Sequence, residues 1–258
     1  GQRALANNSV AYKGKPEMGT FMREWVSLYE SKSGERGIFN RKAARDQAAK
    51  NGRRDIDHDF GCNPCSEIIL RPYQFCNLSE VVVRASDTQQ TLTEKVRLAT
   101  ILGTFQSTLT DFKYLRTVWK KNTEEERLLG VSLTGIMDNA MMSGKSAHLG
   151  MNIGATLHAL RVEAVKTNAD LAAELDIPIS TAITCVKPSG TVSQLVDSAS
   201  GIHARHNPYY IRTVRGDNKD PLTQFMISAG VPAEPDVMKP DSTTVFSFPM
   251  KSPHGAVT

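Results

Sequence analysis

The sequence has few aromatic residues, few cysteines and no long apolar segment. Phe, Trp and Tyr make up 7% of its 258 residues, so we expect aliphatic side chains to fill most of the core. No apolar run approaches the roughly 20 residues that a membrane-spanning helix needs, and no signal peptide opens the chain. These absences favour a soluble globular protein without membrane partners, which we expect to be cytoplasmic.

The sequence also lacks a strong excess of either charge. It has 31 Lys and Arg residues against 27 Asp and Glu residues, a net charge of +4, and the two signs are interspersed. A nucleic-acid surface normally concentrates Lys and Arg in one patch. We therefore do not expect a nucleic-acid partner, and the charge balance is more typical of a pocket for a phosphorylated small molecule.

Cysteine is scarce but unevenly distributed. Four cysteines in 258 residues are too few for a disulfide scaffold. Three of them, Cys62, Cys65 and Cys76, fall within one short stretch. This clustering indicates chemistry or metal binding rather than structural cross-links.

The hydrophobic periodicity alternates between helical and extended segments. Such alternation predicts an α/β architecture with a largely parallel sheet or a barrel. Helices are expected over residues 17–29, 39–50, 91–119 and 152–175 and from 220, and strands over 81–83, 128–133, 181–186, 209–214 and 244–248.

The cysteine cluster allows several interpretations. Cys62 and Cys65 have the CxxC spacing of a zinc knuckle, and Cys76 could be a third ligand. A closed zinc site usually needs a second close pair of ligands, and here His58 is the only nearby donor. Thioredoxin-like dithiol chemistry normally places its CxxC at the start of a helix, whereas Pro64 predicts a loop. An inert structural role for the cysteines also stays open.

A catalytic interpretation depends on the residues around Cys65. Residues two apart on an extended backbone face the same way, so Asn63, Cys65 and Glu67 would share one side. A thiol, a carboxylate and an amide that converge on one substrate are a typical active-site set. Cys76 would bring a second sulfur nearby.

A second candidate site is the sequence Cys-Val-Lys-Pro-Ser-Gly-Thr at 185–191. It predicts a strand, a Gly-containing turn and a short helix, and free N–H groups at a helix start bind phosphate. It is not a P-loop, because its lysine precedes the glycine. We expect Cys185 to be a buried small hydrophobe. The pattern is weak in isolation.

Taken together, these motifs resemble the ribonucleotide reductases. The resemblance is strongest to the monomeric, adenosylcobalamin-dependent (class II) ribonucleoside-triphosphate reductases, and it effectively covers the whole chain. It rests on Asn-Pro-Cys-Ser-Glu-Ile at 63–68, Phe-Cys-Asn-Leu-Ser-Glu at 75–80, Asn-Thr-Glu-Glu-Glu-Arg-Leu-Leu-Gly-Val-Ser-Leu-Thr-Gly-Ile at 122–136 and Lys-Pro-Ser-Gly-Thr at 187–191.

The resemblance implies a fold and an extent for the chain. The family fold is a ten-stranded α/β barrel with the active-site cysteine on a finger loop inside the barrel. Residues 1–258 would be a fragment of this catalytic barrel domain. A preceding segment would hold the first redox cysteine and the effector-binding elements, and a following segment would hold a C-terminal cysteine pair.

The resemblance also implies roles for individual residues. Cys65 would carry a thiyl radical that abstracts the ribose 3′-hydrogen, and Glu67 would take the 3′-hydroxyl proton. Asn63 would hold the ribose, and Cys76 would be one of two thiols that become a disulfide. The substrate phosphates would be bound by Ser189, Gly190 and Thr191.

The expected function is reduction of ribonucleotides, most closely ribonucleoside triphosphates, to deoxyribonucleotides for DNA synthesis. The implied cofactor is adenosylcobalamin, and the implied partners are a deoxynucleotide effector and a thioredoxin-like reductant. We expect no metal ligands among the site residues. The alternative is a cysteine-cluster zinc or redox module without reductase activity.

Overall fold

The computed structural model describes residues 8–32, 36–50, 52–145 and 152–258. Within these ranges the chain is mixed α/β, as predicted. The strands are β1 (Asn8–Tyr12), β2 (Arg36–Asn40), β3 (Gly61–Cys62), β4 (Ile69–Leu70), β5 (Asn77–Val82), β6 (Leu129–Thr134), β7 (Tyr209–Asp217), β8 (Ala233–Pro235) and β9 (Thr243–Lys251). The helices are α1 (Met18–Ser31), α2 (Arg41–Ala49), α3 (Gln89–Gln106), α4 (Thr117–Glu126), α5 (Ile153–Glu174), α6 (Thr191–Leu195) and α7 (Pro221–Ser228), with a 3-10 turn at Ile136–Asp138.

The strands are distributed over small sheets. β1 pairs with β2 and β5 pairs with β6, both in parallel, whereas β3 and β4 form an antiparallel hairpin. The C-terminal sheet, in the order β7-β9-β8, is antiparallel, so the expectation of a largely parallel sheet is wrong for that part. The described ranges do not close a barrel.

The parallel pair β5–β6 is the centre of the fold. A further extended segment lies along the other side of β6, where Thr184 forms a parallel bridge with Val131 and the Cys185 N–H donates to the Val131 carbonyl at 3.0 Å. The strand predicted over 181–186 is therefore reduced to one bridge. Helices α3 and α5 pack together on this unit. The core is formed by Val81, Val83, Leu92, Val96, Ala99, Leu129, Val131, Met142, Leu160, Ala164 and Ile183.

Helix α3 ends at Gln106, although the sequence pattern predicts one helix to residue 119. The Ser107 hydroxyl donates to the Thr104 carbonyl at 2.6 Å, and the Thr108 hydroxyl donates to the Phe105 carbonyl at 2.7 Å. Such side chains compete for the backbone groups that would continue a helix. Arg127, at the end of α4, donates to the Ser107 carbonyl at 2.7 Å. This bond connects the end of α3 to the end of α4.

The helices in the described part of the chain include none with the length and apolar character to cross a membrane.

Candidate active site

The cysteine finger is the turn of the β3–β4 hairpin. The Ser66 N–H donates to the Asn63 carbonyl at 2.9 Å, and Ser66 has a φ of 62°. Pro64 stands at the second position of this turn, where its fixed φ is favourable. The backbone over 63–67 is therefore a turn and not the extended segment that the sequence analysis assumed. Asn63 and Glu67 come together because the hairpin closes.

The hairpin end is closed by Asn63 and Ile68. The Asn63 N–H donates to the Ile68 carbonyl at 3.3 Å, and the Ile68 N–H donates to Asn63 Oδ1 at 3.0 Å. The Asn63 amide therefore keeps its NH₂ group as a donor for other partners. Its side chain also lies close enough to Glu67 to stabilise that carboxylate.

The Cys65 side chain lies at the tip of the finger. Cys65 is the one exposed cysteine of the four, and the other three are half-buried. Cys62 at the base lies 3.5 Å from the Ser66 hydroxyl. An exposed thiol on a tight turn is accessible to a reactant that approaches from outside the hairpin.

Glu67 is paired with a residue of the second motif. Its side chain is 1% exposed, and its Oε1 accepts a hydrogen bond from Lys187 Nζ at 2.7 Å. Burial alone would raise the pKa of the Glu67 carboxyl, but the Lys187 hydrogen bond, the Glu67 backbone, Asn63 and the Lys187 charge together outweigh it and lower the pKa. Oε2 is buried and accepts no hydrogen bond from the described residues. The carboxylate is thus ionised and has one oxygen available.

Two further thiols border this carboxylate. Burial raises the pKa of the Cys76 thiol, and the charge of Glu67 raises it further. Burial also raises the pKa of Cys185 to about 12, with Glu67 and Cys76 as additional causes. Both thiols are therefore protonated at neutral pH, and each can supply a hydrogen atom. Cys185 belongs to this group of residues, although the sequence indicated only a buried hydrophobe.

The second motif forms a loop before the short helix α6. Ser189 is buried, and its Oγ accepts from the Ser193 N–H at 3.1 Å, while Gly190 and Thr191 are exposed. The Ser193 and Ser200 hydroxyls both donate to the Ser189 carbonyl. The N–H groups of the first turn of α6 have no partner within the helix.

The loop is also fastened to the end of β6. The Gly201 N–H donates to Thr134 Oγ1 at 2.8 Å. Gly201 has a φ of 54°, and a Cβ there would lie 3.2 Å from the Lys187 carbonyl. Glycine therefore allows the chain to pass close behind Lys187 and Pro188.

A buried ionic network holds the base of the finger. Glu126 is 1% exposed and accepts from Arg54 at 3.0 and 2.7 Å and from Gln74 at 2.6 Å. Arg71 Nη2 lies 3.2 Å from the same carboxylate. Arg54 also donates to the Ile69 carbonyl of β4 at 3.0 Å. The network therefore connects the finger hairpin to the end of α4.

Gly130 on β6 makes room for the finger. A Cβ at this position would overlap Leu78 of β5, and it would lie 3.1 Å from Ile68 Cδ1 and 3.3 Å from Cys185 Sγ. The missing side chain allows the finger residue Ile68 to pack directly on the β5–β6 pair. Gly130 lies inside the motif at 122–136, whose function the sequence alone does not indicate.

The geometry does not favour a metal centre. The described residues contain no group of three His, Cys, Asp or Glu side chains that could hold a metal ion. His58, the one donor near the cysteines in the sequence, lies 3.3 Å from Asp55 and stacks edge-on against Phe60. The zinc-module alternative therefore has no support from this arrangement.

Lys187 is the partner of Glu67 that the sequence analysis missed. It contacts Glu67, and its charge also interacts with Cys65 and Cys185. The available signal was a lysine in an otherwise apolar segment, directly before the Pro-Ser-Gly-Thr turn. A charged side chain there needs a buried partner, but the sequence does not say which carboxylate supplies it.

Comparison with known proteins identifies the relatives of this arrangement. No family model matches the sequence. Curated relatives named adenosylcobalamin-dependent ribonucleoside-triphosphate reductase match nearly the whole chain. The protein of Levilactobacillus brevis is 30% identical over 98% of this chain, and that of Lactobacillus leichmannii is 27% identical over 97%. In both cases the chain spans 36% of the relative's length.

A solved structure agrees with the sequence comparison. A B-12 dependent (class II) ribonucleotide reductase superimposes with a TM-score of 0.71 and 25% sequence identity, covering 97% of this chain and 37% of that one. The resemblance found in the motifs is confirmed by both comparisons. Over nearly all of its own length, the chain is a homologue of the class II, adenosylcobalamin-dependent ribonucleotide reductases, and it corresponds to about a third of such a protein.

Proposed function

We propose that this chain is part of the catalytic domain of an adenosylcobalamin-dependent ribonucleotide reductase that reduces ribonucleoside triphosphates. The observation that carries the proposal is the pairing of Glu67 on the finger with Lys187 at the entry of the Ser-Gly-Thr loop, 2.7 Å apart. This contact supports the proposal, because it joins the turn that carries the residues expected to act on the ribose to the loop expected to bind its phosphates. The substrate class follows the name of the relatives.

The finger residues divide the chemistry between them. Cys65, as a thiyl radical, takes the 3′-hydrogen of the ribose. Glu67 Oε2, which accepts no hydrogen bond from the described residues, takes the proton of the 3′-hydroxyl. The Asn63 NH₂ group donates to the oxygen that becomes ketone-like at C3′.

The thiols supply the two reducing equivalents. The 2′-hydroxyl leaves as water, and Cys76 with a second thiol gives up two hydrogens and forms a disulfide. The raised pKa of Cys76 keeps its hydrogen in place until this step. Overall, one ribonucleotide and two thiols give one deoxyribonucleotide, one disulfide and one water.

The phosphates of the substrate would be bound by the loop at 189–191. Gly190 and Thr191 are exposed and can approach a phosphate closely, and the N–H groups at the start of α6 lack partners within the helix, although the Ser193 N–H already bonds Ser189. Ser189 is buried and already bonded to Ser193, so we expect it to shape the loop. This assigns Ser189 a supporting part and assigns the phosphate contacts to Gly190 and Thr191.

The cofactor would meet this chain at Cys65. The exposed thiol on the finger fits a large organic group, which could not reach the half-buried Cys76 or Cys185 as readily. When bound, adenosylcobalamin supplies the one-electron oxidising power that converts a thiol into a thiyl radical. No protein residue need bind the cobalt for Cys65 to play this part.

The remaining features of the enzyme belong to the parts of the relatives that this chain does not span. We propose that residues 1–258 are a fragment of the barrel domain and that further strands close the barrel around the finger. The first redox cysteine, a C-terminal cysteine pair and a deoxynucleotide effector site would lie in those parts, and a thioredoxin-like reductant would be the partner.

The test is a turnover assay of the full-length protein. With a ribonucleoside triphosphate, adenosylcobalamin and a dithiol, the wild type should form the deoxynucleotide. Cys65→Ser should form none, because an alcohol hydrogen is far harder to abstract than a thiol hydrogen. Cobalamin-independent turnover, or turnover by Cys65→Ser, would contradict the proposal.

A further inference from the structure

Lys187 joins the finger to the proposed phosphate loop. Its Nζ bonds Glu67, and it stands two residues before Ser189, a span of at most about 7 Å along the chain. We propose that Lys187 is a positioning residue, which keeps the Glu67 carboxylate ionised and fixed and ties it to the loop at 189–191. The catalytic meaning of this inference rests on the proposed function.

The charges explain why the pair is needed. Burial disfavours the ionised form of Glu67, which is 1% exposed. Lys187 reverses this effect, and the hydrogen bond in turn raises the pKa of Lys187. A general base must be deprotonated before it accepts the 3′-hydroxyl proton. Without Lys187, the pKa of Glu67 would rise, because only the Glu67 backbone and the Asn63 side chain would then oppose the effect of burial.

The thiols near the pair cannot replace Lys187. Cys65, Cys76 and Cys185 are thiols and carry no positive charge. Glu80 also lies near this group of residues, and its Oε1 atom is buried without a hydrogen-bond partner in the described ranges. A carboxyl group cannot supply the positive charge that Lys187 provides. Glu67 also lines a cavity of about 380 Å³ together with the basic residues Lys50, Arg53, Arg54 and Arg161.

Two of these basic residues are already engaged. Arg54 bonds Glu126 at 2.7 Å, and Arg53 donates to the Ser180 carbonyl at 3.0 Å. Lys187 instead donates directly to Glu67. Gly201 packs closely against the Lys187 carbonyl, and Pro188 restricts the backbone on the other side. The position from which the Lys187 side chain extends toward Glu67 is therefore fixed.

The first test is the pH dependence of kcat/KM in the full-length protein. Lys187→Met should move the acid limb to higher pH, so that its loss of activity is larger near pH 6 than near pH 9. Lys187→Arg keeps the positive charge and should keep the position of the wild-type limb. An unmoved limb in Lys187→Met would overturn the inference.

Lys95→Met is the matched control. Lys95 also bonds a carboxylate, Asp87, at 2.6 Å, but it does so at the start of α3, away from the finger. This variant removes the same charge and should leave the pH profile in place. An equal shift in Lys95→Met would show a general effect of lost ion pairs and would refute a specific function of Lys187.

A second readout does not depend on activity. The carboxyl ¹³C resonance of Glu67, assigned with Glu67→Gln in glutamate-labelled protein, should titrate at higher pH in Lys187→Met than in wild type or Lys187→Arg. Equal midpoints would overturn the inference. If the wild type reduces no ribonucleotide, the proposed function fails, but this titration still decides whether Lys187 controls Glu67.

Discussion

Replacing Glu126 by Gln should loosen the finger. Glu126 is 1% exposed and faces Arg54 and Arg71, whose side chains are 5% and 7% exposed. Removing one partner of a buried ion pair leaves an uncompensated charge and costs about 3–5 kcal/mol. Gln retains part of the hydrogen bonding, so we expect the lower end, about 3 kcal/mol. This corresponds to roughly 100-fold faster hydrogen exchange of the backbone amides that become exposed to solvent when the network opens.

The assay is hydrogen exchange of the β3–β4 hairpin in the full-length protein, since Arg54 holds the Ile69 carbonyl. Glu125→Gln is the matched control, because Glu125 is 46% exposed and also bonds Arg71, at 2.7 Å. Solvent around Glu125 screens its pair with the buried Arg71, so we expect the loss of this pair to cost only about 1 kcal/mol. Equal exchange rates in the two variants would refute the view that the buried network holds the finger.

Further predictions follow from the packing and the thiols. Gly130→Ala should lower turnover while the protein stays folded, because the new Cβ displaces Leu78 and Ile68 and with them the finger; unchanged kcat/KM would contradict this packing. Cys185 should react with iodoacetamide much more slowly than Cys65 at about pH 8, because a pKa of about 12 leaves a thiolate fraction of roughly 10⁻⁴. Equal labelling by mass spectrometry would show that Cys185 is not buried as described. Metal analysis of the purified protein should find no stoichiometric zinc. One equivalent of bound zinc would instead support the alternative of a cysteine-cluster zinc module.

The motif at 122–136 shows what sequence reasoning could not assign. Its three consecutive glutamates, 124–126, resemble an ordinary solvent-exposed charged segment, but each of them bonds a different set of side chains. Glu124 accepts from Thr110 at 2.8 Å, Glu125 bonds Arg71, and Glu126 is buried against two arginines. These partners are distant in the sequence. The motif therefore supports the finger through Glu126 and its arginine partners.

Local patterns predicted the elements whose limits are set by nearby residues. The helix at 152–175, the strand at 128–133 and the helix start at Asp220 agree with α5, β6 and α7. The end of α3 was missed because periodicity does not register the Ser107 and Thr108 hydroxyls or Arg127, which lies 20 residues beyond Ser107 and holds its carbonyl. Periodicity cannot detect a carbonyl that a distant side chain will hold.

The sequence analysis named residues for the candidate site, but the geometry that it assumed for them was wrong. The alternation argument placed Asn63, Cys65 and Glu67 on one extended face, whereas the structure forms a turn with Ser66 at positive φ. The contact between Glu67 and Lys187 joins residues 120 positions apart. Only the folded sheet, which aligns the 181–185 segment with β6, reveals this pair.

The central claim is that Cys65 starts the reaction and Cys76 supplies a hydrogen later. It is tested most directly by the release of free base from a labelled ribonucleoside triphosphate with adenosylcobalamin, comparing full-length Cys65→Ser and Cys76→Ser. In the Cys76→Ser variant, the substrate should still lose its 3′-hydrogen, and the intermediate, which then has no hydrogen donor, should decompose and release base. The Cys65→Ser variant should release no base. Equal behaviour of the two variants would contradict the separate functions of the two thiols.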